Sequence, residues 1–213
     1  MSVPGILKIF AGFFFLVLML PSYANSREKL PDADSFFKGL ESVRSLSCRF
    51  QQEQFIKGLR RPIRLRGSFY MTKEGDLAWI VKEPVRFYCI IRKDKLATWD
   101  AESDSRREID LKDHPAFSLM IKMMKDFFAG KIRVTGGYRC TVVSAEKILL
   151  HPLKHNPLSG NVEKIEMSLS AGRRSISSIM ITSGSGDRNR MSFGNIVLDA
   201  PIPGSVWKKG AEK

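Results

Sequence analysis

Between Ile63 and Ile91 the chain reads IRLRGSFYMTKEGDLAWIVKEPVRFYCII, and few folds accommodate such a stretch. Ile63, Leu65, Gly67, Phe69 and Met71 share one parity; Arg64, Arg66, Ser68, Tyr70 and Thr72 take the other. Period two is the mark of a strand with one apolar and one wet face. Lys73, Glu74, Gly75 and Asp76 supply turn chemistry. A second strand then carries Leu77, Trp79 and Val81 on one parity, Pro84 interrupts, and a third apolar run begins at Phe87. The pattern predicts an antiparallel meander whose apolar face carries large side chains and needs a cover.

More strands follow. Leu96 to Trp99 predicts a short one, Ala101 to Arg107 a polar loop, and Ile109 with Leu111 another short strand. Ile132 and Val134 lead to a Gly136-Gly137 turn, then Tyr138 to Val143 and Lys147 to Leu150 form a hairpin. Val162 to Leu169 places Ile165, Met167 and Leu169 inward; Ser175 to Thr182 and Asn189 to Leu198 complete the set, and Pro201 and Pro203 end the regular part. Before the meander, SCRFQQEQF reads as a strand with Cys48, Phe50, Gln52 and Gln54 on one parity. Strands run hairpin to hairpin without alternating helices, so the fold class is mainly β within α+β. We expect a strongly curved antiparallel sheet, or unclosed barrel, of about ten or eleven strands.

Two helices are predicted. Phe36, Leu40 and Val43, or Phe37, Leu40 and Leu46, recur at helical spacing in an amphipathic helix that opens at Pro31-Asp32 and ends near Ser45. From Asp113 to Gly130, Phe117, Leu119, Met120, Ile121, Met123, Met124, Phe127 and Phe128 leave only Ser118, Lys122, Lys125 and Asp126 as polar breaks. A helix apolar over most of its circumference is buried on two sides or covers an apolar surface. It serves as a core plug or as a lid, and its methionines suit a variable hydrophobic ligand.

The first 24 residues read as a secretory signal: Lys8, an apolar run from Ile9 to Leu20, Pro21, then Ser22-Tyr23-Ala24 with cleavage after Ala24. Residues 25–207 form one domain and 208–213 a basic tail. The 213-residue chain carries a formal net charge of +13. Without the signal it keeps 34 basic against 22 acidic side chains, or +12. Such a balance attracts polyanions, and export directs that attraction to anionic lipid rather than nucleic acid. Lys57, Arg60, Arg61, Arg64 and Arg66 put five cations in ten residues, either as a guarded sheet edge or as a patch for an anionic membrane or partner.

Reactive chemistry is not legible. The three cysteines, Cys48, Cys89 and Cys140, allow at most one internal disulfide, and buried thiols are the other reading. His151 and His155 are spaced as helical metal ligands, but Pro152 argues against a helix there. HExxH, Cys/His clusters, GxSxG, the P-loop and the dinucleotide fingerprint are missing from the sequence. No metal, cofactor or catalytic residue is assigned, and we expect a protein that is not an enzyme.

Taken in order, an export signal, an amphipathic helix, SCRFQQEQ, GSFYMTK…LAWIVKEP, the apolar FSLMIKMMKDFF, LLHPL and SIMITSGSGDRNRMSFGNIVLDAPIPGSVW resemble the LolA-type periplasmic carriers of outer-membrane lipoproteins. The resemblance spans Arg27 to Trp207. It implies an unclosed barrel with helices as a lid over a hydrophobic cavity. The lining would be Leu65, Phe69, Met71, Leu77 and Trp79, and the closure Met120, Met123, Met124, Phe127 and Phe128. The family commonly has Arg-Pro after the strand matching Gly67–Thr72, and that arginine helps to latch the lid. Here Lys73 and Glu74 occupy the place, so the latch falls to Lys73, which lacks the guanidinium fork. The implied partners are an acylated lipoprotein or another, anionic lipid, an inner-membrane donor complex and an outer-membrane acceptor. The implied protein is a periplasmic monomer. An envelope lipid or protein sensor on the same scaffold is the alternative.

Overall fold

In the computed structural model, residues 33–208 are described apart from 114–117, 119, 120, 123, 124, 127, 132–136 and 157. The signal, the Ile132 and Val134 strand, the basic tail beyond Lys208, and Met120, Met123, Met124 and Phe127 lie outside the described residues.

The alternation seen in the sequence becomes one antiparallel sheet of 11 strands that does not close into a barrel. The strands are β1 (Ser45–Phe55), β2 (Ile63–Thr72), β3 (Leu77–Glu83), β4 (Phe87–Arg92), β5 (Lys95–Asp100), β6 (Ser105–Asp110), β7 (Tyr138–Ser144), β8 (Lys147–Pro152), β9 (Val162–Leu169), β10 (Ile176–Ser183) and β11 (Arg188–Leu198). Their spatial order is β6-β5-β4-β3-β2-β1-β11-β10-β9-β8-β7. Each strand therefore lies beside its sequence neighbours, except that β6 and β7 are the two ends among the described residues; β1 and β11, the first and last of these strands, meet in the middle. The residues linking those ends include the apolar segment, of which Ser118, Ile121, Lys122, Lys125, Asp126 and Phe128 are helical.

Two helices flank the sheet: α1 (Ala33–Glu41) and α2 (Gly204–Lys208). Helix α1 lays Phe36, Phe37 and Leu40 into the core, at 0%, 2% and 2% exposure. It ends at Glu41, short of the expected Ser45, because the backbone there turns to other partners. Arg44 N–H donates to Asp199 Oδ1 (2.7 Å) and Ser45 already belongs to β1. Gly130, at φ +71°, lets the end of the helical segment close onto Phe37 and Leu40; a Cβ there would lie 2.8 Å from the Phe37 carbonyl oxygen.

Three further expectations are corrected. Residues 105–107 are strand rather than loop, with Arg106 opposite Trp99 and Arg107 opposite Thr98. Leu111 sits in a 3-10 turn, Leu111–Asp113, not in a strand. Regular structure also continues past Pro203. Val206 of α2 is buried against Ala78, Ile80, Tyr88 and Ile90, with Trp207 packed beside them. That packing covers the outer face of β3 and β4, so these strands are buried on both faces.

Candidate functional site: the aromatic inner face

The inner face follows from strand parity. On β1, Leu46, Cys48, Phe50, Gln52 and Gln54 are buried while Arg49, Gln51, Glu53 and Phe55 are not. On β2 the buried inward set is Leu65, Gly67, Phe69 and Met71, and on β11 it is Asn189, Met191 and Phe193. Cross-strand register aligns these into rows. Cys48 lies opposite Phe69, Phe69 opposite Trp79, and Trp79 opposite Cys89.

At the centre the rows meet as an aromatic cluster. Phe50 and Trp79 have centroids 4.0 Å apart, and Trp79 lies edge-on to Phe69 at 5.5 Å. Phe128, from the helical segment, stacks on Phe69 at 4.5 Å and meets Phe193 edge-on at 5.5 Å. Offset and edge contacts of this kind suit the ring quadrupoles. Gly67 makes the arrangement possible. A methyl group there would overlap the Ile80 carbonyl oxygen and come within 2.7 Å of the Phe50 ring.

Of the residues implied by the sequence, Leu65, Phe69, Met71, Leu77, Trp79 and Phe128 share one buried cluster. Phe50 and Phe193 join it unannounced. Parity placed Phe50 with Cys48, but no feature of a single strand says which rings touch across four strands.

Polar groups mark the rim. At the β1 end away from α1, Gln52, Gln54 and Asn189 are buried on the inner face, and Gln52 Nε2 donates to Asn189 Oδ1 (3.2 Å). Beyond them the β1–β2 hairpin exposes Ile56, Leu59 and Ile63 at 38%, 53% and 42%. Lys57, Arg60, Arg61 and Arg64 are exposed in the same hairpin, and Arg64 pairs with Glu53 at 2.9 Å.

Near the other rim the turn after β2 carries Lys73, an exposed residue whose backbone N–H donates to the Arg44 carbonyl oxygen (2.7 Å). The side chain lying against this turn from the helical segment is Lys125; a Cβ on Gly75 would be 3.1 Å from its Nζ. Desolvation lowers the Lys125 pKa, and the carboxylates of Asp76 and Asp94 oppose that shift without cancelling it. The thiols Cys48 and Cys89 are free and buried, and burial pushes Cys48 up to about 12 and Cys89 further. They behave as small apolar side chains, with too little thiolate for nucleophilic work. Among the described residues no group of His, Cys, Asp and Glu could hold a metal ion.

Comparison with protein families matches residues 41–208 to the family described as outer membrane lipoprotein carrier protein LolA. The chain belongs to the LolA family. The match runs from the end of α1 through α2, so it covers the whole sheet. The family's description is that of a carrier. No curated protein sequence matches.

Among solved structures, a chain of the Pseudomonas aeruginosa MucA/MucB complex is similar at 11% identity and a TM-score of 0.53, over 85% of this chain and 62% of that one. A LolA superfamily protein from Nitrosomonas europaea is similar at 10% identity and a TM-score of 0.40, over 82% and 96%. LprF from Mycobacterium bovis follows at 11% identity and 0.41, over 81% and 95%. At such identities the likeness is one of fold.

Proposed function

We propose that this protein is a periplasmic carrier that holds acyl chains on the inner face of its sheet and delivers lipid-linked cargo toward the outer membrane. The observation that carries this reading is the continuous apolar inner face, from Leu65 through Phe69 and Trp79, with Phe128 of the helical segment stacked on its centre. Membership of the LolA family supports it. Burying one methylene is worth ~0.8 kcal/mol, so an acyl chain of about fifteen methylenes is held in water at a cost of roughly 12 kcal/mol unless something shields it. A sheet that lends its apolar face, and recovers its own cover when the cargo leaves, meets that need without covalent chemistry.

In this scheme the chain is exported through a signal cleaved after Ala24 and acts as a monomer. It receives cargo from an inner-membrane donor and releases it to an outer-membrane acceptor of greater affinity. The helical segment, with Met120, Met123, Met124 and Phe127, is the part that moves aside. The basic hairpin tip around Leu59 meets anionic headgroups during transfer.

The test is lipid extraction and mass spectrometry of protein purified gently from the periplasm. A stoichiometric acylated species is expected, and Leu65→Glu or Phe69→Glu should abolish its capture. A wild-type protein that is empty and also refuses a fluorescent acyl probe would sink the carrier reading.

The second reading is a sensor or interaction module. It is favoured by the fold shared with a chain of the MucA/MucB complex. A stable complex with an envelope partner that persists after delipidation would support it over the carrier.

A further inference from the structure

Along β1 the inner face changes character. Leu46, Cys48 and Phe50 are apolar, while Gln52 and Gln54 continue the same parity as carboxamides, with Asn189 of β11 opposite Gln54. All three are more than nine-tenths buried, at 3%, 6% and 7% exposure. One hydrogen bond, from Gln52 to Asn189, joins them. Gln54 Nε2 and Asn189 Nδ2 are sealed from solvent and have no hydrogen-bond partner among the described residues.

Buried donors without acceptors are destabilising, and a protein with no use for them would carry leucine here. What is missing is an oxygen acceptor at the end of the apolar inner face. An acyl chain supplies one where it joins its headgroup: the carbonyl oxygen of its ester or amide. The two nitrogens flank a row in which Ile63, Gln54, Asn189 and Ile181 lie across β2, β1, β11 and β10, so apolar walls stand on both sides. Two residues beyond Gln54 the cationic hairpin begins, with Lys57, Arg60 and Arg61 exposed at the same end.

We propose that Gln54 and Asn189 form a donor site that binds the acyl carbonyl oxygens of the cargo. The site fixes the cargo's polarity: chains toward Phe69 and Phe128, headgroup toward the basic hairpin. This rests on the carrier reading and adds a chemical class to it, acyl esters and amides rather than plain hydrocarbon.

The test compares a fluorescent diacylglycerol with its dialkyl ether analogue of equal chain length, both titrated into the mature protein. Wild type should prefer the ester roughly tenfold, the ratio of one well-made hydrogen bond to a buried donor. Gln54→Leu with Asn189→Leu should bind both equally and keep its ether affinity; Gln54→Leu alone should melt no lower than wild type, because it loses only an unpartnered donor, whereas the double variant melts lower because it also takes the acceptor from Gln52 Nε2. Gln54→Met, closer in volume, serves if the double variant does not fold, and should narrow the preference. An ester preference that survives the substitutions overturns the site. So does a wild type that never shows one, which would leave a resident water as the occupant. If neither probe binds wild type, the carrier reading fails and the site with it.

Discussion

The Phe128 ring lies stacked on Phe69, centroids 4.5 Å apart and planes 30° from parallel. One ring comes from the middle of the sheet and the other from the helical segment. Removing the upper ring takes away a buried aromatic and leaves a cavity. Phe128→Ala should cost about 3–5 kcal/mol in urea unfolding. It should also speed uptake of an acyl probe in stopped-flow fluorescence, since the cover over Phe69 is gone.

Asp199 joins the chain ends. Its Oδ1 accepts the Arg44 backbone N–H and its Oδ2 accepts from the Arg174 guanidinium; these bonds hold the carboxyl below its usual range, the backbone bond contributing most. A carboxylate with a depressed folded pKa contributes stability above its unfolded value and loses it as pH falls through the folded one. Asp199→Asn should therefore melt lower than wild type at pH 7, with the gap closing below about pH 3.9. Asn tolerates the φ of +59° found here, so the comparison isolates charge.

Lys125 works in the opposite sense. Its ammonium is partly desolvated against the turn after β2, and the lowered pKa means that its charge opposes packing there. Lys125→Met should raise the melting temperature by about 2 °C at pH 7, and the gain should vanish as pH rises past about 10.4, where wild type also sheds the proton. Lys73 is the test of the implied latch. If it latches the segment, Lys73→Met melts lower and is cut faster by protease between residues 114 and 130; an exposed bystander changes stability by no more than about 0.5 kcal/mol.

The hairpin tip combines exposed Ile56, Leu59 and Ile63 with Lys57, Arg60 and Arg61. Co-sedimentation with phosphatidylglycerol vesicles should exceed that with phosphatidylcholine vesicles and weaken in salt. Leu59→Glu should reduce it at least about tenfold while leaving acyl-probe binding intact.

Much of this architecture is legible in the residues because one face of most strands is dry. Leu65 and Phe69 alternate with Arg64 and Ser68, and their burial follows. Only the Ile109 end of the strand Ser105–Asp110 was legible, because Arg106, Arg107 and Glu108 are all exposed: partner bonds hold them, such as Arg106 opposite Trp99, and these leave no period. The outer cover on Ile80 and Ile90 escaped because α2 has five residues, too few to show a helical period. The site was legible as a set of large apolar side chains. Its geometry was not, since Phe193 reaches Phe128 only through tertiary packing. Gln54 and Asn189 had the parity of core residues in the sequence, yet polarity alone reads as solvent-facing.

The seam between β1 and β11 has a consequence for how the protein comes into being. Arg44 and Asp199, which pin the seam, are 155 residues apart, and Leu46 pairs with Leu198 beside them. The central ladder thus has the greatest sequence separation in the sheet, a topology that folds slowly. While the last strand is still unmade, β1 has only one of its two neighbours, and the apolar inner face ends there. A chain built this way finishes folding only after its final strand arrives, so its middle is the last part to be completed.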